Sequence, residues 1–171
     1  MEQVTNSETT SVGIERESLF PVLRMVTIFA GISEDGLRGI FDKCYLKSFS
    51  GNDEVVHENT AATDIYIILR GRVKLILGAD EEPLELIELN MGNCFGEASV
   101  IGIQNHSATV VAVEPSILLV LSRRALMQIM SENQQLFSLL ILNIARELAR
   151  RLHYSDEVLL RYTRKRPLTA H

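Results

Sequence analysis

Two short runs carry the side chains best suited to holding a ligand: Gly96-Glu97-Ala98-Ser99 and, with eight residues between Glu97 and His106, His106-Ser107-Ala108-Thr109. A glycine at a strand end lets the backbone approach a bound molecule with no Cβ in the way. Glu97, Ala98 and Ser99 then open a short helical turn, whose first N–H groups and dipole favour an anion. Glu97 offers carboxylate oxygens to a hydroxyl donor. His106 offers one or two donors and a charge that changes near neutral pH. The chemistry implied is non-covalent recognition of a small, hydroxylated anion. The plainer alternative is that Gly96 only makes a turn and Glu97 only caps a helix.

Other constellations are thin. His57, His106, His153 and His171 are too scattered to supply a His-x-His pair, so no metal is expected. Asp80-Glu81-Glu82 reads as a solvated hairpin tip, not an acid/base dyad. Cys44 and Cys94 lie far apart, outside any metal or redox spacing, and read as reduced thiols of a cytoplasmic protein. Neither has the basic surroundings of a nucleophile. No catalytic residue and no cofactor are expected, and the chain is read as a non-enzyme.

Bulk properties narrow the partners. The chain has 171 residues, 46% of them hydrophobic, enough for one domain with a core. No apolar run is long enough for a bilayer, and Met1-Glu2-Gln3-Val4 has no basic start or apolar core of a secretory signal. The net charge of −5 is uneven: residues 146–171 carry +4 and the remainder −9. An acidic body repels nucleic acid and anionic membranes, which leaves only the tail Arg161-Tyr162-Thr163-Arg164-Lys165-Arg166 for such a contact.

The elements that must position the two runs follow from periodicity. Residues 1–17 read as a flexible segment. A helix is expected around Leu19–Ile28, and another after an N-cap at Ser33, with Leu37, Ile40 and Phe41 on one face. Short strands begin near Tyr45: 46–49, 54–57, 65–69, 73–77, 84–89, 94–95, 109–113 and 117–121. Ser50-Gly51-Asn52-Asp53 and Gly78–Pro83 supply turns between them. Eight strands at this spacing predict a mainly β fold with flanking helices, a double-sheet jelly roll. Ser122 caps a helix through Met130, and a second cap around Ser131 opens a long helix to about Tyr162. Along it Ile141, Ala145, Leu148, Leu152, Ser155, Leu159 and Tyr162 alternate four and three apart, a coiled-coil seam that needs a partner. That partner is a second copy of the chain, or the chain's own roll for the first turns. The domain reading is therefore 1–17 flexible, 18–131 helix plus roll, 132–162 dimerisation helix, and 163–171 basic flexible tail.

Several separated motifs in order resemble the cyclic-nucleotide-binding domain family over about residues 28–160. They are Ile28-Phe29-Ala30-Gly31-Ile32-Ser33, Asp64-Ile65-Tyr66-Ile67-Ile68-Leu69-Arg70-Gly71-Arg72-Val73, and Gly92-Asn93-Cys94-Phe95-Gly96-Glu97. The last runs into what resembles the family's phosphate-binding cassette, which implies a double-stranded β-helix jelly roll and a non-enzymatic regulatory role. Ala149-Arg150-Arg151-Leu152, followed by Ser155-Asp156, resembles the dimer helix of catabolite-activator-type regulators. Those proteins continue into a helix-turn-helix DNA reader. The residues to His171 are too few for one, so an effector domain without the reader is expected.

The resemblance implies roles residue by residue. Gly96, Glu97 and Ala98 match the cassette, with Glu97 toward the ribose; Ser107 matches a phosphate contact, and Ala108 a position whose backbone lies close to the ligand. Leu75 and Leu86 match purine-lining strand positions, or are plain core. Arg151 matches a helix arginine that pairs with the cassette glutamate. Ser155 and Asp156 match polar positions that reach an adenine, or are seam and surface residues; Asp156 stands where the pattern has a hydroxyl.

His106 stands where the family carries an arginine. Guanidinium grips phosphate bidentately with a permanent charge, whereas imidazole at a pKa of about 6.5 is charged in roughly a quarter of molecules at pH 7. Losing one charged hydrogen bond weakens binding by roughly 10- to 150-fold. Cyclic nucleotide binding is therefore expected to be weak and to tighten from about pH 8 to pH 6. The substitution is either drift at an unused site or tuning for another anion or for pH. The first functional reading is a homodimeric module sensing cAMP, cGMP or a related anion and relaying it through the last helix to an unknown protein effector. The second is a degenerate fold used only for dimerisation or docking. A third is an effector domain acting with a separate DNA-binding partner.

Overall fold

Two four-stranded antiparallel sheets make the β-rich middle of the chain, built from β1 (Tyr45–Phe49), β2 (Glu54–Val56), β3 (Asp64–Arg70), β4 (Arg72–Leu77), β5 (Leu84–Asn90), β6 (Cys94–Phe95), β7 (Thr109–Ala112) and β8 (Ser116–Ser122). The order is β1-β8-β3-β6 in one sheet and β2-β7-β4-β5 in the other. The computed structural model describes residues 16–80 and 82–165; the expected flexible segment up to 15 and the tail from 166 lie outside the described residues.

The nearly continuous apolar run of β3 has a clear cause. Ile65 to Leu69 are all buried because the strand is covered on both faces. Ile65, Ile67 and Leu69 pack with the helices, whereas Tyr66 and Ile68 face the second sheet. β8 divides the same way, with Leu119 and Leu121 toward the helices and Leu118 and Val120 toward the sandwich interior. The first sheet is thus a wall between two hydrophobic clusters.

The N-terminal helical segment is shorter than periodicity predicts. A 3-10 turn at Arg16–Leu19 leads into α1 (Phe20–Leu23), and a second 3-10 turn occupies Thr27–Phe29. Val26 is extended, with φ −73° and ψ 121°, and breaks the helix. That break sends Val26, Ile28 and Phe29 all into the core, which one straight helix face does not permit. α2 (Glu34–Phe41) follows with Ser33 Oγ accepting from Gly36 N at 3.2 Å, as its sequence indicates. α3 (Glu97–Gly102) begins within the first of the two runs and ends before the second.

Ser122 caps α4 (Arg123–Glu132), its Oγ accepting from Ala125 N at 3.1 Å. The cap of α5 (Gln134–Lys165) is Asn133 rather than Ser131: Asn133 Oδ1 accepts from Leu136 N at 2.9 Å. Ser131 is spent inside α4, donating to Gln128 O at 2.9 Å. α5 also runs three residues past the expected end at Tyr162.

Early α5 packs on the chain's own roll. Leu140 and Ile144 are buried, which contributes about 1.5–3 kcal/mol each. Asn143 Nδ2 donates to Ile28 O at 3.2 Å and Ala30 O at 2.7 Å, stitching the helix to the Thr27–Phe29 turn. Of the seam positions, Ile141 and Leu148 lie against this core, whereas Leu152 and Leu159 are 64% and 63% exposed. The side chain of Tyr162 lies outside the described residues.

Candidate functional site

Gly96 caps α3 in the left-handed region at φ 85°. A Cβ there would fall 2.7 Å from Asp64 O, so no other residue fits without moving the central strand β3. Phe95 stacks on Tyr66 at 5.0 Å between ring centroids, which fixes β6 against β3 and sets where the glycine turns. Val100 N donates to Gly96 O at 2.9 Å and starts the helix; Ile103, itself left-handed at φ 53°, ends it. The amides of the first turn have no partner within the helix ladder, and a short dipole points out of that end.

Glu97 is 2% exposed. Its Oε1 receives Arg151 Nη1 at 2.7 Å, while Oε2, equally buried, has no hydrogen-bond partner. Burial pushes its carboxyl above the ordinary range, and the Arg151 charge only partly offsets this. A hydrogen-bond donor is what this oxygen lacks. Ala98 is exposed beside it, and Ser99 is 7% exposed.

The returning run is pinned by backbone. His106 N donates to Thr60 O at 2.9 Å and Asn59 N donates to His106 O at 2.8 Å. His106 is 7% exposed, and burial holds its imidazole below its ordinary pKa, against a smaller opposing pull from Asp64. The ring is therefore neutral at pH 7, and the charged window lies lower than sequence alone indicates. Ser107 is exposed and Ala108 buried. Cys94, one strand back, has its thiol pushed up to about 12 by burial and the Glu97 charge, so it is inert as a nucleophile.

Arg151 brings the long helix to the cassette. Its Nη1 meets Glu97, its Nη2 donates to Cys94 O at 2.7 Å, and its Nε donates to Glu147 Oε1 at 2.9 Å. Burial disfavours the guanidinium charge, but Glu97 and Glu147 more than restore it. Ser155, one turn on, is exposed and bonds back to Arg151 O at 3.0 Å; Asp156 is exposed.

The strand pair β4–β5 carries Leu75 and Leu86. Leu75 is half-buried against the sandwich cluster, and its cross-strand partner is Ile87. Leu86 falls at the bulge between the Leu75 and Ile76 pairings, and Leu86 and Ile87 are 48% and 50% exposed. Ile87, Asp64, Glu147 and Thr27 are the site neighbours that sequence reading passed over. Only Ile87 had a local signal, since it sits in the same apolar stretch as Leu86.

A groove of about 540 Å³ opens elsewhere, between α2 and the α4–α5 junction, lined among others by Ser33, Gly39, Lys43, Ile129, Glu132 and Leu136. Lys43 and Glu132 pair across it at 2.5 Å. It holds none of the residues singled out for chemistry. Among the described residues no group of three or more His, Cys, Asp or Glu is arranged to hold a metal, and no helix is long and apolar enough to cross a membrane.

The chain is similar to known proteins throughout this region. It is 29% identical over 112 residues to the cGMP-dependent protein kinase egl-4 of Caenorhabditis elegans, covering 64% of this chain and 14% of the kinase. The chain thus spans a small fraction of that relative's length. Among solved structures it resembles a cyclic nucleotide-binding domain from Methylobacillus flagellatus KT, with TM-score 0.76, 22% identity, and coverage of 86% and 83% of the two chains. It also resembles the catabolite activator protein of Thermus thermophilus, with TM-score 0.71, 24% identity, and coverage of 80% and 63%. The model of the cyclic nucleotide-binding domain matches residues 46–133, from β1 through the cassette to the end of α4, and the chain belongs to that family.

Proposed function

We propose that this chain is a regulatory module that senses a cyclic nucleotide, cAMP or cGMP, or a related small anion, and relays occupancy through α5. The observation that carries the reading is the buried Glu97 Oε2, an acceptor without a donor, set directly behind the obligatory Gly96 and tied to the last helix by Arg151. A ribose hydroxyl satisfies that acceptor, the first-turn amides of α3 face the phosphate, and Leu75 with Ile87 offers an apolar face to the base. With His106 neutral, binding is weak. The open positions Leu152 and Leu159 support a homodimer through α5, and a cytoplasmic setting suits two reduced cysteines.

The second reading, a fold kept only for dimerisation or docking, is favoured by one observation: a buried imidazole held below its ordinary pKa replaces the permanent cation. Thermal unfolding with a panel of cyclic nucleotides separates the two. At a ligand concentration 100-fold above Kd, the sensor gains about 2.7 kcal/mol of stability. The docking module gains nothing.

A further inference from the structure

Arg151 and Asp156 flank the open part of the α5 seam. Ala145, Leu152 and Leu159 recur at sevens, as do Leu148, Ser155 and Tyr162, so the first set takes the a positions of a heptad and the second the d positions. Arg151, just before Leu152, then falls at g, and Asp156, just after Ser155, falls at e. One chain alone satisfies neither. Arg151 donates to Glu97 Oε1 and Cys94 O, both at 2.7 Å, and to Glu147 Oε1 at 2.9 Å. A guanidinium has five N–H donors, so two are left without a partner among the described residues, and the side chain stays 35% exposed. Asp156 is exposed and has no hydrogen bond or ion pair among the described residues. His153, the only basic side chain within a turn of it, lies against Glu157 instead, at 3.4 Å.

We propose that a second copy of this chain packs parallel and in register along the exposed seam, and that its Asp156 takes the open donors of Arg151. This rests on the homodimer reading given above and adds the orientation, the register and the residue pair. In a parallel two-stranded coil each g residue faces the e residue five positions later on the other helix. Asp156 stands five positions after Arg151, and the two-fold axis makes the pair twice. An antiparallel coil sets g against g and e against e, which gives the two residues no such meeting. Ser155, between them at d, is small and spends its hydroxyl on Arg151 O at 3.0 Å, so it does not compete for the guanidinium. Asp156 also stands where the family pattern has a hydroxyl. A carboxylate there repels an anionic ligand and suits a guanidinium. Each copy thus supplies a carboxylate to the other's Arg151, and the network of Glu97, Arg151 and Glu147 is complete only in the dimer.

The test is the dimer dissociation constant of the full chain, read by sedimentation equilibrium at about 50 mM and about 500 mM salt. Asp156→Asn is expected to weaken the dimer on the order of 5-fold at the lower salt, the joint effect of two partly exposed pairs, and to match the unmodified chain at the higher. Asp156→Lys sets a like charge against Arg151 and weakens it further. In an Arg151→Gln background that still folds, Asp156→Asn has no added effect. An Asp156→Asn dimer as tight as the unmodified one at low salt overturns the pair and leaves the homodimer standing, as does a loss that persists undiminished beside Arg151→Gln. An Asp156→Lys dimer no weaker than the Asp156→Asn one overturns it too, whether or not the Arg151 variant folds. A chain that is monomeric at every concentration overturns the pair and the homodimer together.

Discussion

Arg151 Nη1 stands 2.7 Å from Glu97 Oε1, across 54 residues of sequence, and this ion pair fastens the last helix to the cassette. The two partners differ in exposure: 35% for the Arg151 side chain and 2% for Glu97. The pair therefore carries more weight than a surface bridge and less than a sealed one. The position of α5 and the state of Glu97 are linked through it.

Arg151→Ala removes the cation and leaves a buried carboxylate alone. The expected loss is about 2 kcal/mol at pH 7, below the roughly 3–5 kcal/mol of fully buried pairs because Arg151 is partly solvated. The folded carboxyl of Glu97 already lies above the ordinary range and rises further in the variant. A raised carboxyl pKa means the folded state holds its proton more tightly than the unfolded one. The deficit is therefore largest near neutral pH and shrinks as pH falls through the raised value. Urea denaturation at pH 7 and pH 5 checks this.

His57 gives a pH dependence of the opposite sense. Its Nδ1 lies 3.1 Å from Glu54 Oε2 of β2, and its Nε2 lies 3.1 Å from Asp80 Oδ2 at the tip of the β4–β5 hairpin. Hydrogen bonds to Glu54 and then Asp80 raise its pKa above the ordinary value. The clasp is fully present below about pH 6.5 and is lost as pH rises through the raised pKa. His57→Ala is expected to melt below the unmodified chain at pH 6, with the difference closing toward pH 9. A gap that stays constant across this range contradicts the assignment.

The late seam of α5 predicts an oligomer. Leu152 and Leu159 are 64% and 63% exposed, whereas Ile141 and Leu148 earlier on the same stripe pack on the roll. Replacing both exposed leucines with glutamate is expected to convert a dimer to a monomer in sedimentation equilibrium while leaving the melting of the roll within a few degrees. A monomer before substitution rules out the proposed homodimer.

Much of the fold was legible because its signals are local. Runs such as Ile65–Leu69 and Ile117–Leu121 mark strands buried on both faces, and Ser33 and Ser122 mark helix starts by their own side chains. The misreadings have physical reasons. Ser131 looked like a cap, but Asn133 two residues later is the one that leaves helical geometry. Leu19–Ile28 has helical spacing, yet the core demands a break at Val26. The bulge opposite Leu75 pairs it with Ile87, and a bulge leaves little trace in sequence. At the site, Gly96 and Glu97 stood out through the resemblance of Gly92–Glu97 to a family motif. The Thr27–Glu147 bond joins residues 120 apart and has no local signature at all.

His106 sets where affinity changes with pH. The sequence alone places the tightening between about pH 8 and pH 6, on an imidazole of ordinary pKa. Burial holds the ring lower, so only a small charged fraction exists at pH 7. Affinity for a cyclic nucleotide is expected to be nearly flat above about pH 7 and to tighten below about pH 6.5, as the phosphate stabilises imidazolium. Calorimetric titrations at pH 5.5, 6.5 and 8 read this, and His106→Gln is expected to remove the dependence. Equal affinities across the three conditions place the phosphate away from His106.

The most direct measurement is calorimetric titration of the unmodified chain and of His106→Arg with cAMP and cGMP at pH 7. A cavity complete but for its cation gives weak binding in the first and binding roughly 10- to 150-fold tighter in the second, the gain from one charged hydrogen bond. Heat of binding from neither chain, with both folded, contradicts the sensor account and leaves a scaffold.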